Sequence, residues 1–270
     1  MLTGEFIDSE KGRLFCAVRR PEGPVRAAVM VVPAFGDEMN KTRRMLTETG
    51  KRLNEADVAL VVPDLFGTGD SGGAFVDASW ERWIGDLSSV AAWASASELP
   101  IRGLIAVRSG ALLAAAYAKA FTGRSVATTV FWQPVVSGRA FVRQMLRMRS
   151  VAAAVGAGKR ESIEDLLARI ESGEALLVGG YRLTRAILRP LIDADLATLL
   201  CGQLGVVSSL EVTRAEDKCG AFVDEVGSYR IEGVRFFGEP YWASTETVCD
   251  EHVVDRTVEV LRNRVGSFVE

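Results

Sequence analysis

Residues Gly103 to Val107 are an apolar run that passes through Arg108 and Ser109 straight into Gly110 and the small-residue stretch Ala111-Leu112-Leu113-Ala114-Ala115-Ala116. A strand that turns this abruptly into a helix needs small residues on either side of the apex, because the turn is tight and the helix packs close to the sheet. Ala106 and Gly110 meet that need, which places Arg108 at the apex. An arginine stays protonated and offers no lone pair, so it cannot attack a carbonyl carbon. The junction therefore presents a fixed cation where this geometry is suited to present a nucleophile.

The flanking sequence repeats the same rhythm. Residues 4–20 read as an opening hairpin around a Ser-Glu-Lys-Gly turn. Ala27 to Val32, Val58 to Val62, Ile101 to Val107 and Val126 to Trp132 are short, nearly continuous apolar runs, as expected of strands buried on both faces. Between them, Glu38 to Glu55, Trp80 to Ser95 and Ala111 to Ala120 carry helical periodicity, the second with Trp80, Ile84, Leu87 and Ala91 on one face. Short links between such elements imply right-handed crossovers and a mainly parallel sheet flanked by helices. After Gln133-Pro134 the strands stop. Residues 138–200 show helical periodicity and no clear strand, punctuated by Gly156-Ala157-Gly158, Ser172-Gly173 and Gly179-Gly180. Strands resume at Val206 to Val212 and at Tyr229 to Phe237, and Thr247 to Val265 reads as a terminal helix with Val254, Val258, Leu261 and Val265 at core spacing. The expected organisation is a core of residues 1–134 and 203–270 with an inserted helical cap of residues 135–202.

The chain has 270 residues, 48% hydrophobic and 25% charged, enough for one large core. A net charge of -3 and a pI near 5.5 argue against general nucleic-acid binding. No apolar run is long enough for a transmembrane segment, and the opening Met-Leu-Thr-Gly-Glu-Phe-Ile-Asp does not read as a secretory signal, so a cytoplasmic location is expected. Cys16, Cys201, Cys219 and Cys249 are scattered and read as reduced, buried thiols. No metal cluster, phosphate-binding Walker loop or dinucleotide fingerprint is present, since Gly67-x-Gly69 lacks a third glycine; no cofactor is expected.

The strand order, the stretch Pro63-Asp64-Leu65-Phe66-Gly67-Thr68-Gly69-Asp70-Ser71 and the tight turn at Arg108 together resemble the α/β-hydrolase superfamily. A finer resemblance is to the exosortase A system-associated hydrolases of type 2, bacterial proteins linked to PEP-CTERM protein sorting and exopolysaccharide loci. It is carried by Pro33 to Lys41, Pro63 to Ser71, Trp80 to Trp83, Trp132 to Val135, Gln144 to Arg147, Gly180-Tyr181 and Gly238 to Trp242. That family tends to have Gly-Leu-Arg-Leu-Gly at the turn, from which this chain departs at Ala106 and Ser109. The resemblance implies an α/β-hydrolase fold, a cap at residues 135–202, and hydrolysis of an ester or thioester.

A serine hydrolase needs a nucleophile, a base, an orienting acid and two backbone N–H donors for the oxyanion. Ser109 is the only hydroxyl at the turn, one residue late; it is either a displaced nucleophile or a helix-start hydroxyl. His252 is the only histidine. In this fold the base follows the last strand, yet Gly238 to Glu246 contains no histidine, and His252 lies off the apolar stripe of the terminal helix. Glu216 and Asp217 follow the penultimate strand, where a triad acid belongs, and also suit a solvated turn. The Pro33-Ala34-Phe35-Gly36 turn can supply an oxyanion donor near Phe35 by backbone alone. Asp64 and Asp70 read as turn-formers. Arg108, beside a helix N-terminus, suits a ligand carboxylate or phosphate; alternatively it forms an internal ion pair with Asp37, Glu38, Glu216 or Glu246. Phe35, Trp242 and Glu246 complete the substrate-binding candidates. Two functions follow: an ester or thioester hydrolase acting through Ser109, His252 and Glu216 or Asp217, or through Arg108 and Glu246; or a degenerate hydrolase fold that binds an anionic small molecule or a partner.

The cap adds one more signal. Arg139, Arg143 and Arg147 recur every four residues, Arg149, Lys159 and Arg160 add to them, and residues 138–160 hold no acid. That local excess suits an anionic ligand or a protein partner, or an ordinary solvated face.

Overall fold

Burial on both faces decides where the strands lie. A computed structural model describes residues 1–10, 12–121, 125–157 and 161–265, with the side chains of 155–157 left aside. A nine-stranded sheet runs through it, built from β1 (Leu2–Ser9), β2 (Gly12–Arg19), β3 (Ala27–Val32), β4 (Val58–Pro63), β5 (Ile101–Val107), β6 (Thr128–Trp132), β9 (Val206–Thr213), β10 (Gly220–Val226) and β11 (Tyr229–Phe237). Their order is β1-β2-β4-β3-β5-β6-β9-β11-β10. The strands from β4 to β11 in that order are parallel, and β1, β2 and β10 are antiparallel additions at the two edges. Every residue of β3 and β6 is buried, as a strand covered by helices on both faces requires.

The helices follow their apolar stripes. On one face lie α1 (Asp37–Asn54), burying Met39, Met45, Leu46 and Leu53, and the terminal helix α8 (Glu251–Val265), burying Val254, Val258, Leu261 and Val265. On the other lie α2 (Trp80–Ala96) and α3 (Gly110–Ala120). The buried stripe of α2 is Trp80, Trp83, Leu87, Val90 and Ala94; Ile84 and Ala91, expected on it, sit at its margin half-buried. Ser79 starts α2 by accepting a hydrogen bond from the Arg82 N–H.

Between β6 and β9 the chain folds into α4 (Gly138–Ala157), α5 (Ile163–Glu171), α6 (Arg185–Asp193) and α7 (Leu196–Leu199). It is not all-helical as expected. β7 (Leu176–Val178) and β8 (Tyr181–Leu183) form a separate two-stranded hairpin, turned by Gly179 and Gly180 at φ 56° and 87°. Two consecutive positive φ values are what a two-residue hairpin loop demands, and glycine meets them without strain. Three-residue strands are too short to show alternation, so the sequence pattern missed them. β10 was missed as well; it is an edge strand with most residues exposed and no continuous apolar face.

Candidate functional site

The C-terminal ends of the parallel strands all open on one edge, and the loops after β3, β5, β6 and β11 meet there. Arg108 stands at the apex of the β5–α3 turn with φ 53°, a left-handed conformation that a non-glycine residue holds only under constraint. The constraint is visible on both sides. The Arg108 N–H donates to the Trp132 carbonyl at 2.9 Å, and the Arg108 carbonyl accepts from the Val135 N–H at 3.1 Å. A Cβ on Gly110 would sit 2.3 Å from the Val32 carbonyl oxygen and 2.8 Å from that of Pro33. Ala106 is fully buried. The small-x-Arg-x-small register read from the sequence is the register of the structure.

The Arg108 guanidinium is held on several sides. Its Nε and Nη2 each donate to a carboxylate oxygen of Glu38 at 3.3 Å. Its Nη1 donates to the Gln133 carbonyl at 2.9 Å. It lies 4.6 Å from the ring centroid of Trp242, within cation–π range, and 5.9 Å from that of Phe141, which comes from α4. The side chains of Arg108 and Glu38 are 10% and 21% exposed. Burial pushes the Glu38 carboxyl above its ordinary value; the charge and hydrogen bonds of Arg108 pull it back, and Asp37 pushes it up again. Gln133, at φ 44°, accepts the Val212 N–H on its side-chain oxygen at 2.7 Å and donates its own N–H to Leu210, which ties the end of β6 to β9 and fixes the carbonyl that Arg108 uses. Of the four acids named as partners for Arg108, Glu38 is the one the fold delivers.

Ser109 is buried, and its hydroxyl accepts a long hydrogen bond, 3.4 Å, from the Phe35 N–H. It makes no hydrogen bond that caps α3. The Phe35 N–H, a candidate oxyanion donor, is thus already engaged by a side chain. The Phe35 ring packs against Trp83 at 5.8 Å and Phe141 at 6.1 Å. His252 is exposed in the first turn of α8 and stacks on Phe236 at 5.7 Å. Glu216 and Asp217 are exposed in a single turn after β9, and Glu246 is exposed in the loop after β11. Ser109, His252, Glu216 and Asp217 share no hydrogen bond among the described residues. Asp64 behaves as a turn-former, accepting from Arg43 at 2.8 Å and from the Asp70 N–H at 2.9 Å.

Tyr241 was not singled out by the sequence reading. Its ring is fully buried against Trp242 at 5.0 Å, and its hydroxyl has no hydrogen-bond partner among the described residues. Burial pushes its phenol well above the ordinary value. An aromatic beside Trp242 in the loop after the last strand was the only available signal.

Three of the four arginines of α4 have acidic neighbours. Arg143 pairs with Glu164, Arg149 with Glu161, and Arg139 lies 4.0 Å from Asp193. Arg147 is exposed, and Lys159 and Arg160 lie outside the described residues. The four cysteines are free, but only Cys16 is buried, its thiol pushed up to about 12 by burial; Cys219 is exposed and Cys201 and Cys249 are half-buried. Among the described residues no cluster of His, Cys, Asp or Glu could hold a metal ion, and no helix is long and apolar enough to cross a membrane.

No family model and no curated protein matches the chain in sequence. Solved structures do match in shape. Est1E from Butyrivibrio proteoclasticus, solved with ferulic acid bound, is 15% identical, covers 97% of this chain and 99% of its own, and superposes with a TM-score of 0.67. The esterase domain of a Rhodothermus marinus protein is 14% identical over 98% of this chain and 100% of its own, with a TM-score of 0.63. An alpha-beta serine hydrolase homologue from Coxiella burnetii is 15% identical over 97% and 96%, with a TM-score of 0.53. The fold is that of the α/β-hydrolases. In this chain Arg108 stands at the apex of the β5–α3 turn, and the loop after β11 brings Tyr241 and Trp242.

Proposed function

We propose that this α/β-hydrolase-fold protein is a binding protein that has exchanged the hydrolytic site for an anion-recognition centre at Arg108. One observation carries the reading: the apex of the turn is a buried guanidinium held by Glu38, Gln133 and Trp242. The guanidinium itself cannot form an acyl-enzyme. The only histidine stacks on Phe236 at the surface and shares no hydrogen bond with Ser109. The likeness to exosortase-associated proteins gives such a protein a setting in a protein-sorting or exopolysaccharide system. The paired arginines of α4 give a protein partner less to hold than the sequence suggested.

Hydrolysis of an ester or thioester is the second reading, favoured by the esterases that share the fold. A fluorophosphonate probe followed by intact-mass analysis separates the two. The folded protein is expected to remain unlabelled. Stoichiometric labelling that disappears in both Ser109→Ala and His252→Ala would establish an activated serine and overturn the proposal.

A further inference from the structure

Glu38 is a poorly suited resident of the place it holds. Its two contacts with Arg108 are 3.3 Å each, longer than the roughly 2.7–2.9 Å of a strong charge-assisted pair. Burial holds its carboxyl above the ordinary value in spite of Arg108, and its side chain keeps an open side to water. Arg108, in contrast, stays anchored by the Gln133 carbonyl, Trp242 and its own left-handed backbone if Glu38 leaves. Tyr241, which packs against the Trp242 ring that Arg108 covers, carries a buried hydroxyl with no partner among the described residues. A buried hydroxyl without a partner is costly, and this one has an unused proton to donate.

The geometry points to a carboxylate-binding site in which Glu38 occupies, in the ligand-free protein, the place of a ligand's carboxylate on the Arg108 fork, with the Tyr241 hydroxyl as a further donor. The ligand is a small apolar carboxylic acid in its ionised form. This rests on the reading of Arg108 as a binding centre given above. The exchange conserves charge: one carboxylate leaves Nε and Nη2 for water and another takes the same two donors. Glu38 regains hydration, and Tyr241 gains an acceptor. The rings of Phe141 and Trp242 beside the guanidinium select an apolar body behind the carboxylate.

Titration calorimetry on the full chain tests this with benzoate, hexanoate and inorganic phosphate as probes. Glu38→Gln weakens the internal competitor and is expected to bind benzoate and hexanoate about tenfold more tightly than the wild type. Tyr241→Phe is expected to bind about three- to fivefold more weakly, the loss of one hydrogen bond. Arg108→Lys keeps the charge, loses the fork, and is expected to lose most of the binding. Should Arg108→Lys fail to fold, the comparison of Glu38→Gln with wild type still decides. Equal affinity in those two proteins overturns the role of Glu38, and unchanged affinity in Tyr241→Phe removes Tyr241 from the site. Phosphate binding in preference to both acids overturns the carboxylate class. No binding of either acid to wild type or Glu38→Gln overturns the site altogether, while absence of serine labelling would leave the non-hydrolytic reading standing.

Discussion

Removing Arg108 and removing Glu38 should have unequal costs, and the inequality measures how the turn is held. Arg108→Met leaves the Glu38 carboxylate without the only side-chain partner it has among the described residues. Breaking a buried pair from one side costs about 3–5 kcal/mol, but Glu38 keeps a fifth of its side chain in water, so about 2–3 kcal/mol is the appropriate share. The lost stack on Trp242 adds about 0.5–1 kcal/mol and the stranded Gln133 carbonyl about 1 kcal/mol. Methionine is as strained at φ 53° as arginine, so the backbone term cancels, and the total is about 4 kcal/mol. Glu38→Gln leaves Arg108 with the Gln133 carbonyl, Trp242 and an amide oxygen, at about 1 kcal/mol. The double variant should cost about 3 kcal/mol, less than the two singles together, a favourable coupling on the order of 2 kcal/mol. Urea unfolding followed by tryptophan fluorescence, with slopes compared between variants, reads all four proteins. Equal single costs, or strict additivity in the double variant, would refute the claim that Arg108 is fixed by several anchors and Glu38 by one.

Three further outcomes are expected. Ser109→Ala removes the acceptor of the buried Phe35 N–H; because that bond is long, a loss of about 1 kcal/mol in urea unfolding is expected. Gly110→Ala drives a methyl into the Val32 and Pro33 carbonyls, neither of which can move without distorting β3, so a loss on the order of 3 kcal/mol or failure to fold is expected, seen as a lowered midpoint or insoluble protein. Burial raises the Asp86 carboxyl to about 6, against backbone N–H donation from Phe66 and the charge of Arg82. The folded state therefore holds this proton more tightly than the unfolded chain, and stability falls as pH rises from about 4 to about 6. Asp86→Asn keeps an acceptor for the Phe66 N–H, so stabilisation at pH 7 by about 2–3 kcal/mol and a flatter pH profile of unfolding are expected.

The sheet and the turn were legible because they are local. Ala106 and Gly110 announce a tight junction, and buried apolar runs announce parallel strands whatever surrounds them. What the sequence concealed depends on partners far along the chain. Glu38 is one of four acids the sequence offers as partners, and the fold brings it from the first turn of α1 to Arg108. Gln133 carries no sign of a left-handed backbone, yet its carbonyl helps to aim Arg108. The basic stretch of α4 looked unpaired because its acids begin at residue 161 and arrive just before α5, on α5 and on α6. The β7–β8 hairpin hid because three-residue strands have no period to detect, although Gly179-Gly180 marked its turn.

The depth of the change at the turn has its own test in Arg108→Ser. If the site differed from a serine hydrolase by one residue, restoring the hydroxyl would restore chemistry. Here four features oppose it. The loop after β11 offers Tyr241 and Trp242 in place of an imidazole, and Trp242 meets the far end of the guanidinium, well beyond where a serine hydroxyl stops. His252 is turned to solvent on Phe236. Glu216 and Asp217 are exposed and hydrogen-bond to neither His252 nor Ser109. The Phe35 N–H already donates to Ser109. A positioned base alone contributes about 10²–10⁴-fold to proton transfer, so a serine at position 108 without one is expected to show no fluorophosphonate labelling and no p-nitrophenyl ester turnover above that of the parent protein. Thermal melting of the same sample establishes that it is folded. Labelling at residue 108 in the folded variant would mean that a base lies within reach of the apex, and the replacement of the hydrolytic site would have to be read as the change of a single side chain.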